Sequence, residues 1–171
     1  MTDHLDSARR LLSTTSGRWR SLVEAAPEEL LERPPAPGEW SASMCLDHML
    51  LTERMVFGSR LRAILEGRDL VAFDPAAPRD PGPVRSPREV VAALAAARGE
   101  NLAMLDRLTP ADLDRSGRHP EYGPITLRVV LSTWAAHDLQ HLVQAEEALM
   151  QVFLPDTGPF RFRFAAHEVG A

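Results

Sequence analysis

From Pro124 to Met150 the chain carries no further Gly or Pro, and its apolar residues recur at helical spacing. Leu127, Val130, Leu131, Trp134, Leu142, Ala145 and Leu149 outline a stripe wide enough to face a core. His137 and His141 continue that stripe. Four residues apart, they project from one helix face about one turn from each other. Two imidazoles side by side in apolar surroundings need partners for their ring nitrogens, because burying them unpaired costs free energy. A metal ion is the simplest partner for both. The rest of the chain therefore has to supply helices to cover the stripe and a third ligand.

It supplies both. Residues 3 to about 25 read as a first helix, with Leu5, Ala8, Leu11, Leu12, Trp19, Leu22 and Val23 at helical spacing. Pro27 to Glu32 suits one short turn, and Pro34-Pro35-Ala36-Pro37-Gly38 cannot continue a helix. Ser41 offers an N-cap for a second helix running to about Gly67. Its seam is expected through Met44, His48, Leu51, Met55, Gly58 and Leu65, which makes His48 a third inward-facing histidine. Residues 68 to 85 are rich in Pro and Asp and read as a long crossover, which lets the next helix run parallel to the last. Ser86-Pro87-Arg88-Glu89 is a capping box that starts a third helix ending near Leu108. Thr109-Pro110-Ala111-Asp112 suits a short turn, and Ser116 to Pro124 reads as a loop. After Pro155, Phe160, Phe162 and Phe164 alternate with Arg161 and Arg163, a period of two that suits an extended tail. The expected architecture is all-α, a four-helix bundle in a single domain spanning 1–171, with residues 155–171 as that tail.

Composition narrows the partners. A formal charge of -5 leaves no basic footprint for nucleic acid. No apolar run approaches the roughly 20 residues of a membrane span. The start MTDHLDSARR is polar and acidic, so no signal peptide is expected, and the single Cys45 suits a reducing cytoplasm.

Three imidazoles on two helices suit a divalent transition metal, with zinc, nickel and iron equally served by the donors. Three protein ligands leave a coordination position open, as in catalytic zinc sites. Cys45 is displaced around the helix from His48 and reads as a small buried hydrophobe. The rival reading is two core imidazoles bonded to backbone or carboxylate, partners these apolar seams hardly offer. His137-Asp-Leu-Gln-His141 falls short of a metalloprotease H-E-x-x-H, because Asp138 is the shorter acid and the third His lies upstream. The Glu-x-x-His pair of a di-iron bundle is absent.

Trp40-Ser41 with His48, then HPEYGPITL (119–127) leading into HDLQHLVQ (137–144), resembles the DinB-like superfamily. That superfamily includes YfiT-type proteins assigned as metal-dependent hydrolases and the bacillithiol and mycothiol S-transferases. The resemblance covers Leu5 to Met150. It implies an up-down-down-up bundle, one divalent metal on His48, His137 and His141, and a homodimer. It also implies a small-molecule substrate, a low-molecular-weight thiol among the choices, and an enzyme of S-transferase or hydrolase type. The alternative is a non-catalytic metal-binding stress-response bundle. Gln144 matches the family's H-x-x-Q and is placed on a ligand ring, on a metal-bound water or on the helix surface. Asp138 is expected to pair with a surface Arg, and Trp40 and Trp134 to pack. His4 and His167 are expected in solvent, and His119 in a structural loop role. Arg161 and Arg163 are the residues considered for holding a substrate anion.

Overall fold

Capping side chains set where the helices begin. The computed structural model, which describes residues 4–74 and 85–169, places α1 at His4–Ala25, a short α2 at Glu28–Glu32 and α3 at Ala42–Thr52. The Ser41 side chain accepts a hydrogen bond from the Met44 N–H, as its position predicts. A π-helical turn at Glu53–Phe57 carries α3 into α4, Gly58–Leu65. α5, Pro87–Leu105, opens on the Ser86–Glu89 capping box with both reciprocal bonds made. A 3₁₀ turn at Pro110–Asp114 follows, then α6 at Leu127–Met150, capped by the Thr126 hydroxyl.

Two apolar clusters fix the helix directions. One joins Leu5 and Leu12 of α1 to Leu61 and Ile64 of α4, Leu105 of α5 and Leu127 and Trp134 of α6. The other joins Trp19 and Val23 of α1 to Cys45 and Leu46 of α3, Leu94 of α5, and Leu142 and Leu149 of α6. The starts of α1 and α6 thus meet the ends of α4 and α5. The helices therefore run up, down, down and up, and the fold is a four-helix bundle. α4 thus ends and α5 begins at opposite ends of the bundle, the two ends that the crossover expected over 68–85 would join. Its middle, 75–84, lies outside the described residues.

The crossover starts from a glycine-capped helix end. Gly67 has φ +68°, the Gly67 N–H donates to Ile64 O and the Arg68 N–H donates to Ala63 O, the paired bonds of a Schellman cap. Leu70 is buried in the first cluster, and its N–H donates to Arg118 O at 2.9 Å.

Three local expectations are corrected. Residues 116–124 are not a loop: Ser116–His119 and Gly123–Thr126 form an antiparallel hairpin, β1 and β2, that turns at Gly123 with φ +74°. The tail is not extended, because Leu154–His167 winds into 3₁₀ turns interrupted at Gly158. With no strand beside it among the described residues, local turns give its backbone the bonds an isolated extended segment would lack. The Phe/Arg alternation serves a different contact, placing Arg163 over the Phe160 and Phe162 rings. The third correction is the second-helix seam. Met44 and Met55 are exposed, and the inward face runs through Cys45, Met49, Thr52, Glu53, Val56 and Phe57. From Cys45 to Val56 the buried face keeps helical spacing but lies one residue on from the expected seam, about 100° around the helix.

At the centre of the bundle lies Arg98, 1% exposed. Its Nε and Nη2 donate to the two Glu53 carboxylate oxygens at 2.9 and 2.8 Å. Its Nη1 donates to Asp138 Oδ2 at 2.7 Å and to Leu12 O at 2.8 Å. Asn101 and the Trp134 indole N–H also donate to Glu53, at 2.8 and 3.2 Å. Burial alone would lower the Arg98 pKa, but Glu53 and Asp138 outweigh it and hold it above its usual value. α5 approaches the π-turn closely at Asn101, where a Cβ on Gly58 would stand 2.4 Å from Asn101 Oδ1.

Replacing Arg98 by Met should destabilise the bundle by about 3–5 kcal/mol, because two buried carboxylates lose their counter-charge. Denaturant unfolding measures it, and a variant as stable as wild type would remove the cluster from the stability argument. Gly58→Ala should cost about 1–3 kcal/mol through overpacking against an amide that Glu53 holds in place. Gly99→Ala, with nothing within 4 Å of its added Cβ, should be neutral or gain up to about 1 kcal/mol. The Gly58 variant should therefore melt below wild type and the Gly99 variant at or above it.

Candidate metal centre

His48 projects from α3 two turns after the Ser41 cap, and His137 and His141 project from α6 one turn apart. α3 and α6 pack directly on each other, which brings the three rings together. One nitrogen from each lies within 4.8 Å of those of the other two. His48 Nε2 and His137 Nε2 are 3.0 Å apart, and the ring centroids are separated by 4.5–5.1 Å. His141 is buried, while His48 and His137 are half-buried. All three histidines read from the sequence converge, although the seam drawn through His48 was misplaced around it.

The neighbours decide which nitrogens are free. His141 Nδ1 lies 2.9 Å from Gln144 Oε1. An amide oxygen only accepts, so Nδ1 carries the proton and Nε2 keeps its lone pair for a ligand. Gln144 thus takes the ring-orienting place rather than the bland surface one. Trp40 stacks on His141 with centroids 5.8 Å apart and also contacts the His48 ring at 5.1 Å. Phe57 contacts His137 edge-on at 5.0 Å. The bundle-end packing expected of Trp40 is therefore packing against two of the imidazoles themselves. His137 Nδ1 is buried without a hydrogen-bond partner.

Asp138 pairs with an arginine as expected, but in the core instead of at the surface: it is fully buried and its partner is Arg98. Cys45 is buried, outside the imidazole cluster, and burial pushes its thiol up to about 11. It is therefore neither a fourth ligand nor a thiolate at neutral pH. His4 and His167 are not simply solvated: each is half-buried and bonded, to Ser132 and Glu147 respectively. His119 is buried in the hairpin, its Nδ1 accepting from the Glu121 and Tyr122 N–H groups.

The donor set fits a divalent transition ion. Two nitrogens each about 2.0–2.1 Å from one ion stand about 3 Å or slightly more apart, and the His48–His137 separation of 3.0 Å meets that. Burial, first of all, keeps the rings neutral, which metal binding needs. It lowers the His48 pKa to about 4 and the His137 pKa to about 3, and lowers that of His141 as well.

A pH dependence follows, with the sign set by those directions. Each ring's folded pKa lies below its unfolded value of about 6.5, so the unfolded chain takes up protons first. In chelator-treated protein, stability should be full above pH 6.5 and fall as pH drops towards 4 and then 3. Proton competition for metal in the folded protein should set in below the usual imidazole value of about 6.5. Urea unfolding of wild type and His137→Gln from pH 7.5 to 5 checks this. Parallel slopes for the two would place the His137 ring in water.

A profile of the DinB superfamily matches residues 11–145. No curated protein matches the chain. Among solved structures, YfiT from Bacillus subtilis, described as a probable metal-dependent hydrolase with an unusual four-helix bundle topology, superposes with a TM-score of 0.76. It is 20% identical over 89% of each chain. TT2238, a four-helix bundle protein, superposes with a TM-score of 0.61 at 22% identity, over 83% of this chain and 98% of that one. A conserved protein from Enterococcus faecalis gives 0.56 at 15% identity, over 86% and 96%. These likenesses carry the fold. With the profile spanning most of the bundle, the chain belongs to the DinB superfamily.

Proposed function

We propose that the chain is a metal-dependent enzyme acting on a small molecule, of thiol S-transferase or hydrolase type, with one divalent transition metal on His48, His137 and His141. The observation that carries the reading is the convergence of three neutral imidazole nitrogens from α3 and α6 within 4.8 Å of one another. Such an ion would lower the pKa of a water or thiol at its open position and so make a nucleophile available near neutral pH.

The chain's own residues prepare that position. Gln144 fixes the His141 tautomer through the bond to Nδ1. Trp40 and Phe57 pack on the rings from two sides and limit their rotation. The exposed thioethers of Met44 and Met55, about one and two turns from His48 along the same helix, leave an apolar approach beside it. The YfiT description supports the metal-dependent class. The alternative of a purely structural ion has less support, because two apolar clusters and the Arg98 network already tie the helices together. A low-molecular-weight thiol remains among the proposed partners, and a homodimer belongs to the same proposal. No helix among the described residues is long and apolar enough to cross a membrane.

His141→Ala tests the reading. The variant should keep the wild-type helix content by circular dichroism, since Ala favours helix and the clusters persist. It should lose metal, by elemental analysis of untagged protein, together with any turnover found in a screen of low-molecular-weight thiols and hydrolysable esters. Unfolding would point to a structural ion, and retention of both metal and turnover would remove His141 from the site. Gln144→Ala should bind metal about 10–100-fold more weakly, the usual loss when a ligand's orienting partner is removed.

A further inference from the structure

The tail arginines considered for anion binding are engaged within the tail: Arg161 pairs with Glu168 at 2.7 Å, and Arg163 lies over Phe160 and Phe162. A different guanidinium is in want of a partner. Arg60 on α4 is half-buried, and no carboxylate stands within ion-pair distance of it among the described residues. Its Nε is buried without any hydrogen-bond partner. It lines a pocket of about 200 Å³ with Phe57, His119, Tyr122, Ile125 and Val129.

The hydrogen-bond-distance contact that Arg60 makes among the described residues deepens the shortage. Its Nη2 lies 3.4 Å from His119 Nε2. His119 Nδ1, however, faces the N–H groups of Glu121 and Tyr122 at 3.2 and 3.4 Å, so it must present its lone pair there. The proton of the neutral ring is then on Nε2. A guanidinium has no lone pair to offer, so two donors face each other across a pocket that Tyr122 and Thr133 also line. His119 is 4% exposed and cannot turn to bulk water for relief. An oxygen bearing negative charge satisfies both donors at once, with the charge-assisted geometry that favours Arg at such sites.

We propose that this pocket is an oxyanion subsite, in which the Arg60 guanidinium and the His119 Nε2–H hold the carboxylate or phosphate group of a small substrate. Its place argues for a substrate anchor. Phe57 is a shared wall, lining the pocket while its ring meets His137 at 5.0 Å. Thr133 and Val129, also in the lining, lie one and two turns before His137 on α6, which is about 6–12 Å along the helix axis. A molecule of that length with an acid at one end reaches the three histidines with the other. Phe57, Ile125 and Val129 offer its carbon skeleton apolar walls. The anchoring role rests on the metal-dependent reading given above, whereas oxyanion binding itself does not.

The test uses benzoate and inorganic phosphate as probes, titrated into the full chain after chelator treatment, so that neither can ligate a metal. Arginine Nε–H and backbone amide resonances are followed by NMR; the Arg60 signal is identified by its loss in Arg60→Gln, and the backbone amide of Tyr122, which lines the pocket, reports affinity in every variant. At least one probe should shift the Arg60 signal saturably, and its affinity should fall tenfold or more in Arg60→Gln, with Arg60→Lys between the two. Arg60→Gln should melt at or above the wild-type temperature, because an unpaired, half-buried charge is removed; a structural arginine would lower it. Which probe binds separates a carboxylate site from a phosphate site. No saturable shift with either probe, or unchanged affinity in Arg60→Gln, overturns the proposal. Should the Gln variant fail to fold, the wild-type titration and Arg60→Lys decide by the same readings. Metal uptake is measured separately, so failure of the metal site leaves this result legible.

Discussion

Arg98 is the interaction on which the arrangement of the helices depends. A guanidinium taken out of water is tolerable only when all its donors are met. Here they are met from α1 by the Leu12 carbonyl, from the π-turn by Glu53 and from α6 by Asp138. α5 supplies the arginine itself, so one side chain references all four bundle helices to a common point. Apolar clusters at either end would tolerate small slides between helices, because the hydrophobic effect is non-directional. A forked, fully bonded ion cluster does not tolerate them. The separation of His48 from His137 depends on the sliding position of α3 against α6, and Glu53 and Asp138 lie five residues after His48 and one after His137.

The π-turn is part of the same constraint. Glu53 starts it, and Gly58 follows it directly. Glu53, Val56 and Phe57 stand at i, i+3 and i+4 and turn inward together on one face. The glycine then lets the Asn101 amide come close enough to bond both the Glu53 carboxylate and its carbonyl, at 2.8 and 3.3 Å. His48 before the turn and Phe57 at its end both face the imidazole cluster as a result.

What the sequence made legible was local. The α6 stripe, the Ser41 cap, the Ser86–Glu89 box and the i,i+4 histidine pair are decided within a few residues, and each stands where its spacing put it. His48 was legible as a polar residue at helical spacing on the second long helix. The seam around it was not, because Met44 and Met55 carry apolar side chains on a face that is open. Arg98, Glu53 and Asp138 are separated by 40 and 45 residues in the chain, and single charged residues in helices ordinarily mean solvent. One cue was available: Arg98 sits among Ala and Leu at core spacing, with Leu94 and Leu105 on either side. The hairpin had a signal as well, in Tyr122-Gly123 ahead of the Ile125-Thr126 pair, but four-residue strands carry too little alternation to declare themselves. Arg60 could not be read at all, since an arginine without a partner is recognised only once every neighbour is placed.

Charge balance links the bundle's clamp to its site. Three neutral imidazoles leave a divalent ion's charge uncompensated, and no carboxylate lies among the three ligand positions. The clamp joins one guanidinium to two carboxylates, so it carries surplus negative charge when both acids are ionised. Asp138, next to His137 in sequence, is where that surplus is least settled. Burial raises its pKa, with the charge of Glu53 acting in the same direction, against the pull of Arg98. The Thr15 side chain also works against that rise. A cation held by the neighbouring imidazoles would favour the ionised form of Asp138, and an ionised Asp138 would in turn favour the cation. Under the proposed metal site, the clamp that sets the helices in register would also offer negative charge beside imidazoles that carry none.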